Sequence, residues 1–179
     1  MKRIAYSLVV VAAAAGVAAS MAFASGEPDG AAVPIYGITI PAGYRDWKLI
    51  AVDQLLVPGK TDQLRAQLGN DIAIKAFKER TLPFPDGAMI AAIHWSRVPS
   101  QGNNEVLAGP FPGAQSFLVG SPVNVQFMVK DSKKYASTGG WGFADFKNGK
   151  PGDKALMETC FACHAPAKAT DFVFTHYAP

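Results

Sequence analysis

Val123-Asn124-Val125-Gln126-Phe127-Met128-Val129 sets Val123, Val125, Phe127 and Val129 against Asn124 and Gln126. Successive side chains of a strand point to opposite faces, so this period of two predicts a strand with one dry side rather than an amphipathic helix. The same alternation runs through Trp47, Leu49, Ala51 and, less regularly, Leu55 in WKLIAVDQLL, and through Leu64, Ala66 and Leu68 in QLRAQL. Between these two lies the turn Pro58-Gly59-Lys60-Thr61-Asp62, and together they predict an antiparallel pair. Further strands are expected from Ala88 to Val98 and from Phe117 to Val119, with Pro99 to Gly113 as a Gly/Asn/Pro-rich loop. Gly139-Gly140 leads into the aromatic strand WGFADF.

Helical signals are few. Asn70 is placed to cap the stretch Asp71 to Arg80, where Ile74, Phe77 and Lys78 share a face, and Pro83 to Gly87 ends it with turn chemistry. Lys130 to Tyr135 predicts one helical turn, and a last helical piece begins at about Ala155. No internal repeat or low-complexity tract is present. The fold class expected is α+β, an antiparallel sheet with short helices between strands.

The chain has 179 residues, of which 49% are apolar, enough for one ordinary core. Charged residues make up 17% and the formal net charge is +3, which argues against an acidic disordered tail or a basic face for nucleic acid. Lys2 and Arg3 precede an apolar run from Ile4 to Val17, and Ala22-Phe23-Ala24 has the small-x-small form of a signal-peptidase site. Residues 1–24 read as a signal peptide, with a retained membrane anchor as the alternative. Residues 25–32 read as a flexible leader, and residues 33–179 as one domain. Cleavage removes two basic side chains and leaves the exported chain near neutral, with no later span for a bilayer.

The strongest motif is Cys160-Phe161-Ala162-Cys163-His164, which contains both cysteines of the chain. On a helix the two thiols stand one turn apart, so each can add to a haem vinyl group while the adjoining imidazole reaches the iron. Covalent haem c is the reading. A disulfide and a thioredoxin-like redox pair are the alternatives, and both leave His164 without a role. A zinc site would need more ligands, and only His94 and His176 remain as imidazoles. No Met follows Cys163 to close the far side of the iron as in ordinary electron-transfer cytochromes c, which points to an open-iron cytochrome built on a sheet.

Six segments then carry a likeness: GYRDWKLIAV (43–52), LRAQLGNDIAIKAF (64–77), PFPDGAMIA (83–91), VKDSKKYA (129–136), GGWGFADF (139–146) and CFACHAPAKATDFVFTHYAP (160–179). In this order they resemble the cytochrome P-460 family and its relative cytochrome c-prime-beta over nearly all of the chain beyond residue 32. The resemblance implies a periplasmic homodimer, a strongly bent antiparallel sheet, and one c-type haem with His164 as proximal ligand. It also implies an open distal side for hydroxylamine or nitric oxide. Members that oxidise hydroxylamine bond a lysine to the porphyrin edge, and here Ala92 stands at that position, which favours the c-prime-beta type of ligand binding over oxidase turnover. Turnover would need a soluble cytochrome to carry electrons away. A six-coordinate electron-transfer cytochrome is the alternative function.

Several side chains are weighed on this reading. His94 shares a strand face with Ala92 and is the candidate distal proton donor or sixth ligand, against an ordinary hydrogen-bonded histidine. His176 reads as solvated or as a propionate partner. Phe127, Phe143, Phe161 and Phe172 are candidates for a dry pocket wall or for plain sheet packing. Met89 and Met128 read as core before axial ligands, and Gln126 as solvated or as a donor to a bound diatomic. Lys130, Lys133 and Lys134 suit docking to an acidic redox partner or simple solvation.

Overall fold

The computed structural model describes residues 30–178; the signal peptide read at 1–24 and the first part of the leader lie outside these. Six strands form one antiparallel sheet in chain order: β1 (Lys48–Leu55), β2 (Gln63–Gly69), β3 (Met89–Pro99), β4 (Phe117–Lys130), β5 (Trp141–Lys147) and β6 (Lys150–Pro151). Three helices interrupt this meander, α1 (Asp71–Glu79), α2 (Gln101–Leu107) and α3 (Lys154–His164), so the architecture is α+β with a helix near the C-terminal end. Among the described residues no helix is long and apolar enough to cross a membrane.

Register decides which side chains share a face, because partners directly opposite each other in a ladder point the same way. One row across four strands reads Leu68, Ala91, Phe127, Ala144, and its neighbour reads Ala66, Ile93, Val125, Phe146. This face is dry. Phe127 and Phe146 are each 1% exposed, and Tyr44 packs edge-on against Phe127 with ring centroids 5.1 Å apart. Burying each of these phenylalanines contributes about 2 kcal/mol of transfer free energy. The row between them on the opposite face reads Gln67, Ala92, Gln126, Asp145, and beside it stand Arg65, His94 and Asn124. That face is polar at its centre. Towards β5 it turns aromatic, with Phe143 and Trp141 buried under Phe161 and Phe84.

Asn70 caps α1 as its sequence position predicts. Its Oδ1 accepts from the backbone N–H of Ala73 (3.0 Å) and of Met89 (3.1 Å), and its Nδ2 donates to the Gly87 carbonyl (2.8 Å). One side chain thus fixes both the helix start and the entry to β3.

Three expectations need correction. In β1 the inward residue is Ile50, fully buried, whereas Leu49 is 50% exposed. A bulge at Ile50, between the pairs Leu49 with Leu68 and Ala51 with Gln67, shifts the alternation by one. The stretch expected as a loop from Pro99 to Gly113 contains α2, started by Ser100, whose Oγ accepts from the N–H of Asn103. Residues 117–119 and 123–129 are one strand, β4, that passes through Pro122. Pro122 faces Trp95 where β5 does not reach, so its missing N–H removes nothing from a second ladder. The helical turn expected within Lys130 to Tyr135 is present, closed by the bond from the Tyr135 N–H to the Asp131 carbonyl at 3.0 Å, and the 3-10 segment Ala136–Thr138 follows it directly.

Candidate haem-binding site

Helix α3 is started by Asp153, whose Oδ1 accepts from the N–H of Leu156 at 2.8 Å, and is pinned by Met157, which is fully buried. These two residues fix its rotation, which sets Cys160 and Cys163 three apart on neighbouring turns, Cys160 half-buried and Cys163 exposed. Both are free thiols. Burial, reinforced by the Asp145 carboxylate and by Cys163, pushes the Cys160 thiol up to about 11, so it stays protonated near neutrality.

His164 ends the helix with its ring between Phe143, 4.9 Å away by centroids, and Phe174, at 5.1 Å. Its Nδ1 lies 2.8 Å from the carbonyl oxygen of Phe172. A carbonyl can only accept, so Nδ1 carries the hydrogen and Nε2 keeps a free lone pair. Burial lowers the imidazole pKa, and the Phe172 bond opposes this only in part, which favours the neutral ring. A neutral ring with one nitrogen donating to a backbone carbonyl is the form in which histidine binds iron. Among the described residues no group of three or more His, Cys, Asp or Glu could hold a metal ion, so the motif offers one axial nitrogen and not a cage.

The polar centre of the same sheet face holds the other sequence candidate. His94 is 4% exposed, and its Nδ1 meets Gln63 Oε1 at 2.7 Å; with the amide oxygen accepting, Nδ1 is again the protonated nitrogen. Its Nε2 is buried without a partner, and so is Oε1 of Gln67. Burial first, and Arg65 second, lower the His94 pKa to about 4, against the opposing pull of Asp145 and Asp53. Around it Arg65 is clamped by Asp53 through two bonds of 2.6 and 2.7 Å, and Gln126 donates to Asp145 Oδ2 at 2.9 Å. Asp145 acts on both His94 and Cys160, which ties this cluster to α3.

The structure therefore brings Cys160, Cys163 and His164 together on one helix and places His94 on the facing sheet, bonded to Gln63 rather than to α3. Phe143 and Phe174 flank the His164 ring, with Phe161 packed on Phe143 and Phe172 packed on Phe161 behind it, whereas Phe127 lies on the dry face and is no part of this cluster. Met128 is 9% exposed on the polar face opposite Ile90, and Met89 pairs with Val129 on the other. His176 is exposed, as are Lys133 and Lys134. Lys130 departs from the surface reading: it is 4% exposed and paired with Asp171 at 2.8 Å. Sequence reasoning passed over the Phe172 carbonyl as the acceptor for His164, and also Gln63 and Asp145. An acid inside the apolar strand WGFADF is the signal that marks Asp145.

The donor set fits a c-type haem: two vinyl-reactive thiols, one neutral axial imidazole and aromatic walls. A haem protein on an antiparallel sheet is the class that this fold and site define. The model of the Cytochrome P460 family matches residues 41–175, most of the chain. The chain belongs to that family, which implies a haem cofactor. A comparison with curated proteins finds no matching relative.

Proposed function

We propose that the chain is an exported, periplasmic protein carrying a single covalent haem c whose distal side takes small nitrogen oxides, nitric oxide or hydroxylamine. The observation that carries this reading is the Nδ1–H bond of His164 to Phe172, which leaves Nε2 as a prepared ligand beside two free thiols. In attachment each sulfur bonds to a vinyl carbon, and the thiol hydrogen passes to the neighbouring carbon. When bound, haem supplies a redox-active iron with a position for a small ligand. Cys160 and Cys163 hold it, His164 donates electron density, and Phe143, Phe161 and Phe172 exclude water. A strong bend of the sheet, removal of residues 1–24, a homodimer and a soluble cytochrome as electron partner belong to the same reading.

Ala92 lies in the polar row between Gln67 and Gln126 and carries nothing that can bond to a porphyrin edge. This supports ligand binding over crosslinked oxidase chemistry. His94 serves as the distal residue as an acceptor and not as the proton donor expected from sequence: with its hydrogen on Nδ1, the buried Nε2 can take a hydrogen from bound hydroxylamine. The test is an absorption and resonance Raman spectrum of the purified protein with and without nitric oxide, together with its intact mass. A five-coordinate iron that binds nitric oxide, with the mass of one haem and two thioethers, is expected. A low-spin iron that ignores nitric oxide would instead make the chain a six-coordinate electron-transfer cytochrome.

A further inference from the structure

The buried pair Lys130–Asp171 is far from the thiols in sequence, yet its bonds converge on the segment that orients His164. Lys130 Nζ donates to Asp171 Oδ1 at 2.9 Å, to Oδ2 at 2.8 Å and to the Gly139 carbonyl at 3.0 Å, and it lies 5.0 Å from the centre of the Trp141 ring. Asp171 Oδ2 also accepts from the backbone N–H of Phe84 at 2.8 Å. Every hydrogen of the ammonium group therefore has an acceptor, and the carboxylate has donors from two separate segments. A buried pair so satisfied specifies geometry even where its net stabilisation is small.

What it holds is strained. Asp171 and Phe172 are consecutive non-glycine residues in the left-handed region, with φ of 51° and 65°. Such residues persist only when their surroundings over-determine them. Here the backbone bonds Asp171 N–H to Lys168 and Phe172 N–H to Ala167 close the turn from one side, and the ion pair ties it to the sheet from the other. A methyl group on Gly139 would overlap the Phe172 ring, so the glycine that accepts nothing larger lets that ring lie on the strand entry. The next polar atom along is the Phe172 carbonyl oxygen that takes the His164 hydrogen.

We infer that Lys130 and Asp171 are positioning residues for the axial histidine: by fixing the Asp171-Phe172 turn they set the bond to His164 Nδ1, and through it the donor strength of Nε2. A shorter bond gives the imidazole more negative character and favours oxidised iron. The inference rests on the haem reading above.

The test uses haem-loaded protein carrying Asp171→Asn or Lys130→Met. The iron–imidazole stretching band of the reduced protein is expected to move to lower frequency and the midpoint potential to rise, with both returning to the parent values in Lys130→Arg. A pair that serves stability alone would lower the unfolding midpoint and leave band and potential in place, which overturns the inference. If the single variants do not fold, Lys130→Met combined with Asp171→Leu removes both charges together, leaves no unpaired buried ion and is read in the same way. Parent protein without a Soret band overturns the haem reading and this inference with it, whereas an unmoved band in loaded variants overturns only the positioning role.

Discussion

His164 Nδ1 and the Phe172 carbonyl oxygen lie 2.8 Å apart, eight residues along the chain, and the bond between them decides which ring nitrogen is free. On the proposed covalent attachment, His164→Gly should keep the cofactor bound by mass while the axial nitrogen is lost. Imidazole added to the solution should restore the parent absorption spectrum. A spectrum of the variant identical to the parent without imidazole would show that another group ligates the iron.

The two thiols should act separately. Cys160→Ser or Cys163→Ser should each keep one thioether, and the double variant none, so acid–acetone extraction should remove the colour only from the double variant. Colour resistant to extraction in that variant would locate the attachment elsewhere.

Burial makes His94 a reporter of acid stability. Its folded pKa is about 4 and its ordinary value 6.5, so between these limits the unfolded chain binds the extra proton. Above pH 6.5 both states are neutral and His94 contributes no pH dependence. As the pH falls from 6.5 to 4 the folded state should lose on the order of 2 kcal/mol, after allowance for solvent screening. His94→Gln, which cannot titrate, should flatten this part of the unfolding profile; an unchanged slope would assign the acid sensitivity to other groups.

Asn70→Ala removes a helix cap and two further bonds at the start of β3, leaving the N–H of Met89 without its acceptor. The expected loss is about 2 kcal/mol, read as a lower urea midpoint at unchanged slope. A loss near zero would mean that water replaces the side chain at this corner.

Gly142 sits where any Cβ would enter the Tyr135 ring, a rigid group bonded through its hydroxyl to the Tyr36 carbonyl at 3.0 Å. Gly142→Ala should destabilise by about 3 kcal/mol through overpacking. Gly142→Ala with Tyr135→Leu should recover part of it in thermal melts, and no recovery would place the clash elsewhere.

The period-two segments were legible because one sheet face is uniformly apolar, as the row Ala66, Ile93, Val125, Phe146 shows. The β1 alternation misled because a bulge puts Ile50 inside, and a bulge leaves no mark in an apolar run such as LIAV. Helix α2 was hidden for a different reason. None of its residues is buried, so it has no apolar stripe to read, and only Ser100 as a cap betrays it. In the site, CxxCH declared the thiols and the imidazole by spacing alone. The partners of that imidazole could not be read so, since a backbone carbonyl has no residue type, and Lys130 looked like one of a solvated trio until the fold paired it with Asp171.

The backbone bond from Ala178 to Ile50, 2.8 Å long, joins the last described residue to the first strand. In chain order all six strands precede Cys160, so this bond carries the segment after the CxxCH helix back to the first strand. A purification handle appended at Pro179 would start one residue from this clasp and compete with it. The exposed helix α2 is the better place for a label, since nothing in the core leans on it.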